Sequence, residues 1–327
     1  MTNADVLCLR PEADFQRVGA LPPESIKVVY RSPADADVAE LMKQARALVI
    51  PAVGPKLPAT LFEGASVKFI QVTGAGLDRL DLNFLRQRGI AVANVAGGSN
   101  EAVAEYAVTT ASVLLRRFLW ADGEIRKGNY RDFRARMIAN SLQGLDGLTV
   151  GIVGFGIIGV AVASAFHKRG CLILYHDPAP RDPRTAEAIG AKSCSLEDLL
   201  QSADVVSLHV PLLPQTTGLI GKHELELMKP GAVLIQGSRG GVVDEAALAE
   251  SLQGGRLVGA AVDVYSTEPP SADNPLFALS GEATQRILFT PHIAGVTRQS
   301  TAYLCRAAWR NIERVFSGKE APQDVVS

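Results

Sequence analysis

Gly147-Leu148-Thr149-Val150-Gly151-Ile152-Val153-Gly154-Phe155-Gly156-Ile157-Ile158-Gly159-Val160-Ala161-Val162-Ala163-Ser164-Ala165-Phe166 contains no charged side chain. On length alone the run reaches across a bilayer. Five glycines punctuate it, however, and a β-rich half (Leu148 to Val153) precedes a small-residue half (Ile158 to Phe166). The stretch therefore reads as a buried strand, a tight turn and a buried helix rather than a membrane span. Gly154, Gly156 and Gly159 form a G-x-G-x-x-G fingerprint at the junction. Glycines in that pattern permit the turn, let the backbone approach a pyrophosphate and allow close helix–strand packing, while the helix N-terminus attracts the phosphates. Eighteen residues beyond Gly159, at the end of the next strand-like run, stands Asp177, placed to accept from an adenosine ribose. A carboxylate there disfavours a 2′-phosphate, and the nearest arginine is Arg181, so NAD is expected over NADP.

Outward from the fingerprint, strand-like runs continue at Leu172 to His176, Val205 to His209, Ala232 to Gln236, Gly259 to Val264 and Ile287 to Thr290. Six strands separated by helices read as a doubly wound sheet. Before it, Lys27 to Tyr30, Ala47 to Ile50, Lys68 to Val72 and Ile90 to Asn94 alternate with helix-like segments such as Ala34 to Gln44, a second parallel α/β pattern. Val103, Ala107, Thr110, Leu114 and Phe118 recur at helical spacing and predict one long helix over Asn100 to Leu119. Gln299 to Phe316 is again helical in period, ends at Gly318, and is expected to return to the first α/β series.

With 33 basic and 34 acidic side chains in 327 residues, nothing draws the chain to nucleic acid or to an anionic membrane, and a small-molecule partner is expected. Cys8, Cys171, Cys194 and Cys305 lie far apart, which predicts reduced thiols and neither a disulfide framework nor a metal site. The N-terminus lacks the basic-then-apolar plan of a secretory signal, which places the protein in the cytoplasm by default.

Three segments follow strands directly: Gln236-Gly237-Ser238-Arg239-Gly240, Asp263-Val264-Tyr265-Ser266-Thr267-Glu268-Pro269 and Thr290-Pro291-His292-Ile293-Ala294-Gly295. Ligands gather at strand ends in open α/β sheets, so Arg239, Glu268 and His292 are candidates for a common site. A guanidinium holds and polarises a 2-oxo acid, an imidazolium supplies a proton to the new alkoxide, and a carboxylate keeps the imidazole charged and oriented. Taken singly, each has a simpler reading as a solvated charge or a loop residue, and only their joint placement favours chemistry. Arg131, Arg134 and Arg136 read as a solvated loop, with contact to an anionic substrate as the alternative.

These segments, the fingerprint and His209-Val210-Pro211-Leu212 resemble the D-isomer-specific 2-hydroxyacid dehydrogenase family over nearly the whole chain. The resemblance implies two doubly wound parallel-sheet domains, a Rossmann cofactor domain (100–292) inserted into a flavodoxin-like catalytic domain (1–99 plus 293–327), and homodimers formed around the cofactor domains. It implies Arg239, Glu268 and His292 as a catalytic triad. Around NAD it sets Gly154, Gly156, Ile157, Ile158, Gly159, Asp177, His209, Val210, Pro211, Thr216, Gly237, Ser238, Arg239, Asp263, His292, Ala294 and Gly295. Around the substrate it sets Gly74, Ala75, Gly76, Asn100 and Arg239. The loop Thr73 to Asp78 is similar to the family's substrate loop, whose backbone amides hold the carboxylate. The segment Asn94-Val95-Ala96-Gly97-Gly98 lacks the proline that many members carry. An NAD-sensing transcriptional corepressor and a formate dehydrogenase are the rival readings on this scaffold; the latter pairs its histidine with Gln where this chain has Glu268. The end of the chain at Ser327 argues against a long, serine-regulated phosphoglycerate dehydrogenase, while the identity of the 2-hydroxy acid stays open.

Overall fold

The computed structural model describes residues 4–326. The chain divides into two compact units, one made of the residues before Asn100 with those from Val296 on, the other of Asn100–Gly295.

In the first unit, β1 (Val6–Cys8), β2 (Val28–Tyr30), β3 (Ala47–Ile50), β4 (Phe69–Val72) and β5 (Ala91–Ala93) form a parallel sheet in the order β2-β1-β3-β4-β5. That order is the flavodoxin-like one. The residues of β1, β3 and β4 are buried throughout, as strands covered on both faces must be. One face packs Leu7, Leu48, Ile70 and Val92 among helix side chains. The other is closed by the helix Arg298–Ser317, whose Cys305, Trp309 and Ile312 meet Phe15 and Val49. Gly318 ends that helix in the left-handed conformation, as expected of a glycine C-cap. The expected helix over Ala34 to Gln44 shortens to Val38–Met42, and β1 adds a strand that sequence pattern did not reveal.

In the second unit, β6 (Thr149–Val153), β7 (Leu172–His176), β8 (Lys192–Ser193), β9 (Val205–Leu208), β10 (Val233–Gln236), β11 (Gly259–Val262) and β12 (Ile287–Phe289) run parallel in the order β12-β11-β10-β9-β6-β7-β8. This is the doubly wound dinucleotide-binding order, with β8 as a two-residue exposed edge and β12 added at the opposite edge. The chain reverses winding between β6 and β9, and the turns after these strands frame the crevice where ligands bind in such sheets.

The long helix expected over Asn100 to Leu119 is two helices, Asn100–Leu115 and Phe118–Arg126. Arg117 breaks it by adopting φ 55°, ψ 35°, and its guanidinium donates to Val258 O at 2.7 Å. Phe118 keeps the spacing of the first helix, which is why periodicity reads through the break. The expected loop carrying Arg131, Arg134 and Arg136 is the helix Tyr130–Ala139. Phe133 and Met137, one turn apart, anchor it; Arg131 and Arg134 are solvated, and Arg136 pairs with Glu282 at 2.7 Å over the Trp120 ring. Among the described residues all four cysteines are free thiols, and no helix is long and apolar enough to cross a membrane.

Candidate active site

The three glycines of the fingerprint do three different things. Gly154 turns the chain at φ 92°, where a Cβ would strike the carbonyl of His209 and the side chain of Val210. Gly159, one turn into the helix Ile157–His167, lies so close to Gly154 O that a Cβ has no room. Gly156, the N-cap of that helix, faces open space. Unpaired amides of a helix start and a glycine without steric cover fit a pyrophosphate. Ile157 is exposed beside them, with Ile158 half-buried.

Asp177 follows β7, and its side chain is only 4% exposed. It accepts from Phe155 N at 2.7 Å, Ala179 N at 2.9 Å and Arg181 Nη2 at 2.6 Å. These bonds hold the carboxyl below its usual range against the opposing effect of burial. Asp177, expected from sequence to accept from a ribose, is thus also paired with Arg181.

Across the switch point, His209 is enclosed and bonded to Ser207 Oγ at 2.8 Å, and burial pushes its imidazole down to about 4. It is neutral, and its contribution to the crevice is its backbone, packed against Gly154 beside Val210. Thr216 Oγ1 donates to Pro211 O at 2.6 Å and accepts from Leu213 N at 2.8 Å, which fixes the turn that follows.

Gln236, buried at the end of β10, shapes the next turn: its Oε1 accepts from Ser238 Oγ at 2.8 Å and its Nε2 donates to Arg239 O at 2.8 Å. Arg239 Nη1 donates to Ser238 O at 2.7 Å. Gly237 lies against Ala294, and Gly240 is jammed on the Tyr265 carbonyl.

The structure brings Glu268 and His292 together. Glu268 Oε2 stands 2.8 Å from His292 Nδ1, and a carboxylate only accepts, so Nδ1 carries the proton and Nε2 is the working nitrogen. His292 sits at φ 55°, costly for a side chain with a Cβ. Asp263 holds it there. His292 N donates to Asp263 O at 2.8 Å, while the Asp263 carboxylate accepts from Ile293 N and Ala294 N at 2.8 Å and from Thr290 Oγ1 at 2.6 Å. Thr290 spends its proton on Asp263, so Tyr106 donates to Thr290 Oγ1 at 2.7 Å. Expected from the resemblance beside NAD, Asp263 is a fully buried clamp on the histidine loop. Gly295 closes the unit.

In the first unit, Val95 N donates to Gly74 O at 3.0 Å and Asn94 Nδ2 donates to Ala75 O at 2.8 Å. Both carbonyls therefore point inward, and peptide planarity turns the N–H groups of Ala75 and Gly76 outward. Among the described residues neither amide donates to the chain. Two adjacent outward amides form an anion-binding concavity. Asn94 is itself tied back through Gln71, which donates to Asn94 O at 3.1 Å and accepts from Asn311 Nδ2 at 2.9 Å. Asn100 opens the helix of the second unit, where it lines a 590 Å³ groove with Ile157.

Asn94, Gln236 and Tyr106 do structural work that residue pattern alone did not assign. For Gln236 and Gln71 a signal existed: each is an amide interrupting an otherwise apolar buried strand.

A dinucleotide cradle and a carboxylate-oriented histidine on the strand ends of one doubly wound sheet define a nicotinamide-cofactor protein of the oxidoreductase class. The chain belongs to the D-isomer specific 2-hydroxyacid dehydrogenase family, whose NAD binding domain model matches residues 108–294. Members of that family are NAD-dependent oxidoreductases of 2-hydroxy acids. The chain is 39% identical over 246 residues to D-3-phosphoglycerate dehydrogenase of Archaeoglobus fulgidus, covering 75% of this chain and 45% of that protein. It is 34% identical over 302 residues to glyoxylate reductase of Thermococcus litoralis, covering 91% and 88%. The crystal structure of D-lactate dehydrogenase from Aquifex aeolicus, complexed with NAD and lactic acid, superposes with a TM-score of 0.81 at 25% identity, covering 96% and 95%. The chain spans about half the length of the phosphoglycerate dehydrogenases it matches.

Proposed function

We propose that this chain reduces a small 2-oxo acid to the D-2-hydroxy acid, and runs the reverse oxidation, with His292 as acid and base. The observation that carries the reading is the 2.8 Å bond between Glu268 and His292 Nδ1, which leaves Nε2 for proton transfer. Bound nicotinamide supplies and recovers the hydride. His292, charged, gives its Nε2 proton to the carbonyl oxygen as that oxygen becomes an alkoxide; neutral, it takes the hydroxyl proton in the reverse direction. Glu268 holds the ring by Nδ1 and stabilises the imidazolium. Arg239 grips the substrate carboxylate and polarises the carbonyl. Within the first unit, the two outward amides of Ala75 and Gly76 form a loop suited to a carboxylate. In this reading the segment before Asn100 and the C-terminal helix form the substrate domain, and the second unit is the cofactor domain.

The working form is read as a homodimer acting in the cytoplasm, without nucleic-acid or membrane partners. Phe118, Leu119, Ile125, Tyr130 and Ile138, all at least 47% exposed on the two helices after Leu115, support burial against a second copy. Light scattering of the purified chain at twice the 34.7 kDa chain mass is the expected result.

The experiment that tests the function is NADH consumption with glyoxylate, hydroxypyruvate, pyruvate, the oxo form of 3-phosphoglycerate and bulkier 2-oxo acids. Steady turnover with at least one supports it. Binding of NADH without turnover of any would favour a sensing protein instead.

A further inference from the structure

We infer that Arg181 sets how the adenosine end of the cofactor site treats a 2′-phosphate, making the seat a neutral pair rather than a bare carboxylate. Asp177 is held from behind by two backbone donors, Phe155 N and Ala179 N, which stay in place whatever Arg181 does. Arg181 covers it from the solvent side: its side chain is 35% exposed while that of Asp177 is 4% exposed. The guanidinium is held there by a bond from Nη2 to Asp177 Oδ2 at 2.6 Å.

Two consequences follow from charge and donor count. The carboxylate's repulsion of a 2′-phosphate is cancelled in part by the cation beside it. A phosphate also offers three acceptor oxygens to a guanidinium that retains unused donors, so Arg181 can turn from carboxylate to phosphate with little loss. Asp177 accounts for the preference for an unphosphorylated ribose, and Arg181 limits that preference. Arg184, four-fifths or more exposed and paired with Asp182 at 3.2 Å, carries the same charge without touching Asp177.

The test is calorimetric binding of 5′-AMP and of adenosine 2′,5′-bisphosphate to the full chain and to its Arg181→Ala and Arg184→Ala variants. Loss of a charge-assisted phosphate contact should weaken the bisphosphate relative to AMP by roughly tenfold in Arg181→Ala. The same ratio should move by less than about twofold in Arg184→Ala. AMP affinity reads whether the seat itself survives in each variant. A bisphosphate-to-AMP ratio unchanged in Arg181→Ala, an equal change in Arg184→Ala, or no bisphosphate binding by the parent chain would overturn the inference.

Discussion

His292 occupies a backbone conformation that costs about 1–2 kcal/mol for any residue with a Cβ, and four bonds accepted by Asp263, one of them from Thr290, keep its loop there. The His292 ring is thus aimed by the backbone and oriented by Glu268. Replacing Glu268 by Gln keeps the size and removes the charge. The single-turnover rate of oxo-acid reduction should then fall by roughly tenfold, because the ring loses the charged acceptor that fixes its Nδ1–H and aims Nε2. Single-turnover rates of the two proteins check this, and an unchanged rate would break the coupling. Arg239→Lys should lose roughly tenfold or more in kcat/KM, since an ammonium cannot reproduce a planar two-pronged grip. On the substrate loop, Asn94→Ala frees the Ala75 carbonyl and the peptide that presents Gly76 N–H. KM for the oxo acid should rise about tenfold with kcat changed far less, and an equal fall in kcat would mean that the loop does more than bind.

Strand ends and turns carry this site, and they were the most legible elements. The fingerprint, Asp177, Glu268 and His292 could be picked out because glycines, a proline and charges punctuate apolar strands. The β3 and β7 boundaries follow from the same contrast. Strand β1 was hidden because the four apolar residues between Asp5 and Arg10 run together and are too few for a period. The break at Arg117 was hidden because it depends on a bond to Val258, far along the chain. What Asp177 and Asp263 touch could not be read either, since each carboxylate is satisfied by amides that only the folded turns supply. The strand-end His209 makes a prediction of its own. Burial holds its folded-state imidazole down at about 4, so between the ordinary histidine value and that point the unfolded chain binds the extra proton. Stability should therefore fall as pH drops from about 6.5 to about 4, by roughly 3 kcal/mol from this group. Urea unfolding across that window should show a shallower decline in His209→Gln, and an identical decline would place the acid sensitivity elsewhere.

For the whole molecule, the chain leaves its first unit at Asn100, builds the second, and returns at Val296 to finish the first. The returning helix is required there: Trp309 packs on Phe15 with ring centroids 5.1 Å apart and its Nε1 donates to Ala20 O at 3.0 Å. The outward amides of Ala75 and Gly76 belong to one unit and the histidine, its carboxylate and the dinucleotide cradle to the other. The proposed reaction rests on proton transfer by His292. The direct measurement is the single-turnover rate of NADH oxidation by His292→Ala with a 2-oxo acid that the parent chain reduces, alongside NADH affinity from fluorescence. Loss of an acid/base group predicts a fall of about a hundredfold or more with NADH still bound at close to the parent affinity, whereas a variant that turns over near the parent rate would contradict the account.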